Sequence, residues 1–200
     1  MVGDAVGHYD NPPCYAGRVV KTGSRIQLQK GDIAPQFELP GVDGRTYALK
    51  NFAGKQGLLV IFMCNHCPYV KARMAEIIAL HKEFGDRVAF VGINSNDPEY
   101  PGEGMENMKV FAKERGMAFP YLLDEDGAMA KAYGATCTPD PFLFDSEMGL
   151  VFHGRISDAL EPQDTPHEFT MRDNLRKLLK GEAIEPWFNP SLGCSIKFKS

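Results

Sequence analysis

The sequence has little of what marks a nucleic-acid binder, a membrane protein or a disulfide scaffold. Its 22 Lys and Arg stand against 26 Asp and Glu, a formal net charge of -4 over 200 residues. No basic excess is available to neutralise phosphates, so nucleic acid is excluded as a partner. Long hydrophobic runs are also missing. The longest, Gly57-Leu58-Leu59-Val60-Ile61-Phe62-Met63, falls far short of the roughly 20 residues needed to cross a bilayer, so no membrane partner is expected. The opening Met1-Val2-Gly3-Asp4-Ala5 lacks a basic n-region and an apolar h-region, and the compartment is read as cytoplasmic. No internal repeat or low-complexity tract is present. At 44% apolar and 24% charged residues, the composition is that of an ordinary folded domain with a core of its own.

Cysteine is scarce and odd in number: Cys14, Cys64, Cys67, Cys137 and Cys194. In a reducing compartment such cysteines serve catalysis or metal binding more often than structure. Zinc is disfavoured, because Cys64-Asn65-His66-Cys67 is followed by no second Cys-x-x-Cys or His pair to complete four ligands. No metal or other cofactor is expected. Cys14 lies in an irregular Pro-rich segment and is given no role. Cys194 stands open between a core filler and a thiol brought to the centre by a folded-back tail. His8, His81, His153 and His167 have no partner at motif spacing, and Met74, Met105 and Met108 read as core packing.

Three parts are expected: an extension over 1–30, a main domain over 31–182 and an apolar tail over 183–200 that packs back on the domain. In the extension, Arg18-Val19-Val20-Lys21 and Arg25-Ile26-Gln27-Leu28 suggest a hairpin around Thr22-Gly23-Ser24. A second hairpin joins 37–39 to 46–49 through Asp43-Gly44. Residues 58–63 and 88–93 read as buried strands, and a helix between them makes a parallel pair with a right-handed crossover. Further helices are expected over 105–115, 126–133 and 166–180, with antiparallel strands at 141–145 and 150–155.

Chemistry centres on Cys67. Cysteine attacks as the thiolate, and a free thiol titrating near 8.5 needs help to ionise at neutral pH. Cys64 falls at the end of a strand, whereas Cys67 precedes Pro68, a residue suited to the first position of a helix. Cys67 therefore faces unpaired N–H groups and the positive end of the helix dipole. His66 is a candidate to support its thiolate, with Lys71 and Arg73 within two turns.

The segment Leu59-Val60-Ile61-Phe62-Met63-Cys64-Asn65-His66-Cys67-Pro68 resembles the strand-loop-helix of thioredoxin-fold redoxins. Gly31-Asp32-Ile33-Ala34-Pro35-Gln36-Phe37-Glu38-Leu39 is similar to the opening strand of the alkyl hydroperoxide reductase and thiol-specific antioxidant superfamily. The resemblance covers most of 31–160 and extends to a Cys-Pro-Tyr-Val-Lys-Ala signature and a Gly-Cys-Ser-Ile-Lys tail. It implies an α/β thioredoxin fold, a central mixed β-sheet flanked by helices. It also implies that Thr138-Pro139 is the cis-proline loop facing the cysteine, whose backbone can pair with an extended substrate. Aligned on redoxins with a Trp-Cys-Pro-Pro-Cys centre, the attacking cysteine is Cys67 and the usual resolving position holds Val70.

The expected activity is thiol-disulfide exchange with Cys67 as attacking thiolate. Cys64 is first in line as resolving thiol and Cys137 second. Partners would be a protein or small-molecule disulfide and a thiol reductant. A peroxidase is the alternative, with peroxide as substrate and a sulfenic acid on Cys67. Against it, the Pro and Thr that precede a peroxidatic cysteine are replaced by Val60 and Cys64. A copper-delivery redoxin is the third reading: His66-Cys67-Pro68 resembles that centre, but its second cysteine is replaced by Lys71.

Overall fold

Residues 57–62, Gly-Leu-Leu-Val-Ile-Phe, carry no polar side chain, and a strand without a polar face must be covered on both sides. In the computed structural model, which describes residues 20–199, this segment forms the centre of the molecule. The strands are β1 (Lys21–Gly23), β2 (Glu38–Pro40), β3 (Thr46–Ala48), β4 (Gly57–Phe62), β5 (Ala89–Asn94), β6 (Tyr121–Leu123), β7 (Cys137–Thr138), β8 (Asp140–Asp145), β9 (Leu150–Gly154), β10 (Phe188–Asn189) and β11 (Leu192–Ser195). The α-helices are α1 (Pro68–Phe84), α2 (Gly104–Glu114), α3 (Ala128–Tyr133) and α4 (Thr170–Lys180).

Six strands make a mixed sheet in the order β10-β9-β8-β4-β5-β6. β4 runs parallel to β5 and antiparallel to β8. The period of two sorts its side chains. Leu59, Ile61 and Met63 pack with Val70, Met74 and Ile77 of α1 and with Met171 and Leu175 of α4. Leu58, Val60 and Phe62 join Tyr133 of α3 and Phe142 and Phe144 of β8. Each such side chain contributes about 1.5–3 kcal/mol when fully buried. The resulting α/β architecture is a thioredoxin fold. Because β4 and β5 are parallel, the loops that follow them emerge at the same end of the sheet, where open α/β sheets gather their ligand chemistry.

The expected hairpin in the extension does not form. Residues 25–28 contain no strand, and β1 instead pairs antiparallel with β11, Lys21 opposite Cys194 and Gly23 opposite Leu192. The physical reason lies at Ser24, whose N–H donates to the Ser191 carbonyl at 3.1 Å while its hydroxyl accepts from the Ser191 N–H at 2.6 Å. These bonds commit the chain to the tail instead of to its own next residues. Residues 18 and 19, and Cys14, lie outside the described residues. The hairpin over β2 and β3 does form.

The last helix starts at Thr170 and not near Pro166, because the N–H groups of His167 and Glu168 are taken by the Asp158 carboxylate at 2.8 and 2.9 Å. β6 carried no recognised signal in the sequence, and neither did β7, β10 and β11. Among the described residues no helix is long and apolar enough to cross a membrane.

Candidate active site

Cys67 caps α1. Its backbone is extended (φ -62°, ψ 121°), Pro68 opens the helix, and the Cys67 carbonyl accepts the Lys71 N–H at 3.0 Å. The first N–H groups of the helix are left to the sulfurs: that of Val70 is directed at Cys67 and that of Tyr69 at Cys194. Cys194 is carried in by β11, which lies between β1 and β7 in a small three-stranded sheet. In that sheet Cys194 stands opposite Thr138, and its Sγ is 2.8 Å from Cys67 Sγ. Both thiols are free. A bonded pair would sit at about 2.05 Å, so closing the bond takes a movement of less than about 1 Å.

Such an approach needs glycine at 193. A Cβ there would lie 2.1 Å from the Thr138 carbonyl oxygen, a distance no side chain can occupy. The Thr138-Pro139 peptide bond is cis. Thr138 touches both front cysteines: its carbonyl oxygen is 3.2 Å from Cys67 Sγ and its hydroxyl 3.3 Å from Cys64 Sγ.

The environment separates the four described thiols. Burial by itself pushes Cys67 up, but it is outweighed by hydrogen bonds from Cys194, Cys64 and Thr138 and by the Val70 N–H, leaving Cys67 well below a free thiol. Cys64 is pushed up by burial, by its bond to Cys67 and by the nearby Glu103 carboxylate. Cys194 is driven up first by its bond to Cys67 and then by burial. Cys137 is pushed up by burial and by Asp140, and its Sγ lies 3.9 Å from the Pro139 carbonyl oxygen. One thiolate, Cys67, is thus surrounded by thiols that stay protonated.

The sign of that shift fixes an expected titration. The ultraviolet thiolate absorbance of the reduced protein should persist well below the free-cysteine value of about 8.5 and should be missing from Cys67→Ser. A single rise near 8.5 would contradict the geometry. Because the folded value is depressed, the thiolate stabilises the reduced fold above the unfolded-state value, and that contribution is lost as pH falls through the folded one.

The His66 ring is held by partners other than Cys67. Its Nδ1 pairs with Glu103, and its ring lies against Tyr100 with centroids 4.8 Å apart. Lys71 is exposed at the surface, and Arg73 holds Glu76 at 2.8 Å and the Asp164 carbonyl at 3.1 Å.

Glu103, absent from the sequence reading, organises the cysteine loop. It is 2% exposed and accepts the N–H groups of Asn65 and His66, each at 3.2 Å, and the Asn94 amide at 2.6 Å. Asn65 is held in turn by the Gly102 carbonyl and by the Tyr121 hydroxyl. The signal that could have found Glu103 is topological: it ends the loop after β5, beside the loop after β4. Cys64, His66 and Glu103 bring one donor atom each to within 4.8 Å of one another, yet the Glu103 oxygens are already engaged by these hydrogen bonds.

Comparison with known proteins agrees with this architecture. A crystal structure of an uncharacterized conserved protein from Geobacillus kaustophilus superposes with a TM-score of 0.85 at 39% identity, covering 90% of this chain and 97% of that one. A thioredoxin-like protein, YneN, of Bacillus subtilis is 28% identical over 63% of this chain and 71% of its own length. The thiol-disulfide oxidoreductase ResA of Bacillus cereus is 24% identical over 76% of this chain and 80% of its own. Residues 30–153, well over half of the chain, match the model of the AhpC/TSA family. With its thioredoxin fold and its cysteine at the head of α1, the chain is a redoxin and belongs to the AhpC/TSA family.

Proposed function

We propose that the protein is a thiol-disulfide oxidoreductase in which Cys67 attacks and Cys194, in place of Cys64, resolves. The observation that carries this reading is the 2.8 Å approach of the two sulfurs at the head of one helix. Cys64 and Cys137 are less suited to resolve. Cys64 bonds to the Thr138 hydroxyl and acts as a donor to the Cys67 thiolate, and Cys137 lies beside the Pro139 carbonyl.

The cycle balances over two electrons. The Cys67 thiolate forms a bond to one sulfur of a substrate disulfide, and the other sulfur leaves as a thiolate and takes a proton from water. Cys194 then loses its proton and attacks Cys67 Sγ, releasing the substrate as a dithiol and leaving a Cys67–Cys194 disulfide. A dithiol reductant restores the protein.

Mass mapping after mild oxidation is expected to find Cys67 joined to Cys194, and Cys67→Ser to have no disulfide reductase activity. A bond from Cys67 to Cys64 would return the resolving role to Cys64, and an active Cys67→Ser would overturn the reading altogether.

A second reading takes peroxide as the oxidant. What favours it is the burial of Cys67, which has no exposed surface, so that a small oxidant needs less opening than a protein. Cys67 would become a sulfenic acid as the peroxide loses an alcohol or water, and Cys194 would expel water to give the same disulfide. Thiol oxidation that depends on added hydrogen peroxide separates the two.

A further inference from the structure

The tail does more than deliver a thiol. β7 is two residues long and ends at Thr138, beside Pro139, and the family resemblance implies that an extended substrate pairs with this loop. That edge is filled. Cys194 pairs with Thr138 and Ser195 with Cys137, and the Ile196 N–H extends the ladder to the Thr136 carbonyl at 3.4 Å. The outer edge of β11 is held by β1, and the Ser195 N–H donates to the Val20 carbonyl at 2.8 Å. A polypeptide bringing a disulfide to Cys67 by pairing with β7 would therefore need the space that residues 193–195 now hold.

We propose that residues 192–195 are an internal substrate strand, a displaceable occupant of the β7 edge, and that extended segments of protein disulfides bind Cys67 in their place. This rests on Cys67 being the attacking thiolate. The register supports it: an incoming cysteine placed opposite Thr138 has its sulfur where Cys194 Sγ now lies, 2.8 Å from Cys67. Gly193 supports it too, because the residue beside that cysteine must pass the Thr138 carbonyl with no room for a side chain. The same strand then gates and releases. It must leave for the mixed disulfide to form on Cys67, and its return to β7 both evicts the substrate strand and sets Cys194 against the bond to be broken. Strand addition to an exposed edge is a common mode of peptide capture; here the chain supplies the competitor.

Two measurements test this. Gly193→Ala, which sets a methyl group against the Thr138 carbonyl, should loosen β11. The rate of Cys67 attack on a protein disulfide such as insulin, divided by the rate on 5,5′-dithiobis(2-nitrobenzoate), is expected to rise at least about tenfold, while release of the mixed disulfide slows. An unchanged ratio in a folded variant overturns the proposal.

The second measurement leaves Gly193 in place and so does not depend on that variant folding. Cys194→Ser protein is joined through Cys67 to a short cysteine peptide, and hydrogen exchange is compared with the same protein unmodified. Amides of residues 193–195 are expected to lose their protection, and retained protection overturns the proposal. Cys67→Ser distinguishes the two levels. If it is inactive and the tail stays protected, only the tail proposal falls; if it reduces disulfides, the oxidoreductase reading falls with it.

Discussion

Cys194→Ser is expected to stop turnover after its first half, with the substrate held on Cys67 as a mixed disulfide visible by mass. Serine leaves Cys67 and the head of α1 unchanged and keeps most of the packing, so the attack still occurs. What disappears is the resolving sulfur that the strand, seated on β7, holds 2.8 Å from Cys67. Well-oriented intramolecular groups reach effective molarities of about 10⁵ M or more, so an external thiol at millimolar concentration should resolve the adduct at least about a thousandfold more slowly. Cys64→Ser is expected to be far milder, since it removes one of several donors to the thiolate. If Cys64→Ser trapped the adduct and Cys194→Ser turned over normally, the resolving roles would be reversed.

Glu103→Ala should produce the largest loss of stability of any single change at the site. The carboxylate accepts two backbone N–H groups of the cysteine loop, the Asn94 amide and the His66 ring, in a pocket with almost no access to water. Alanine leaves these donors without partners, and each buried donor left unsatisfied costs about 1–3 kcal/mol, together a large part of a stability of roughly 5–15 kcal/mol. Glu103→Gln, which keeps one acceptor oxygen, should lose less. Urea denaturation of the reduced proteins measures both. A Glu103→Ala loss below about 1 kcal/mol would mean that the loop holds its shape without the carboxylate. The same variant should also shift the thiolate titration, because the loop is what positions Cys64 beside Cys67.

The legible parts of the molecule are those where one stretch of sequence decides its own structure. The apolar run at 57–62 can only be a strand covered on both faces, and Pro68 marks the first turn of α1, so Cys67 could be placed at the head of a helix from sequence. The turn at Asp43-Gly44 is equally local. Illegible were features created by distant partners. β1 has three residues and no alternation, and becomes a strand only because the tail lies beside it. Cys194 stands open in the sequence between a filler and a thiol carried in by the tail, and what brings it to Cys67 is a register between β11 and β7 that no periodicity encodes. Glu103 sits in Pro101-Gly102-Glu103-Gly104, which reads as an ordinary surface loop until its carboxylate is found buried against the loop after β4. The partner of His66 is hidden for the same reason: adjacency in sequence puts it beside Cys67, while its Nδ1 pairs with Glu103.

The three-stranded sheet β1-β11-β7 also bears on how the protein is made. Lys21 pairs with Cys194, 173 positions later (194 minus 21), whereas β4, α1 and β5 are neighbours along the chain. Closing a loop of that length costs more entropy than closing the short ones, and contacts so remote form late. The main sheet and α1 can thus assemble while the β7 edge is still open. A chain synthesised only as far as residue 191 carries Cys67 and the residues of α1 but neither the strand that covers the thiol nor Cys194, the first of the donors that hold it ionised.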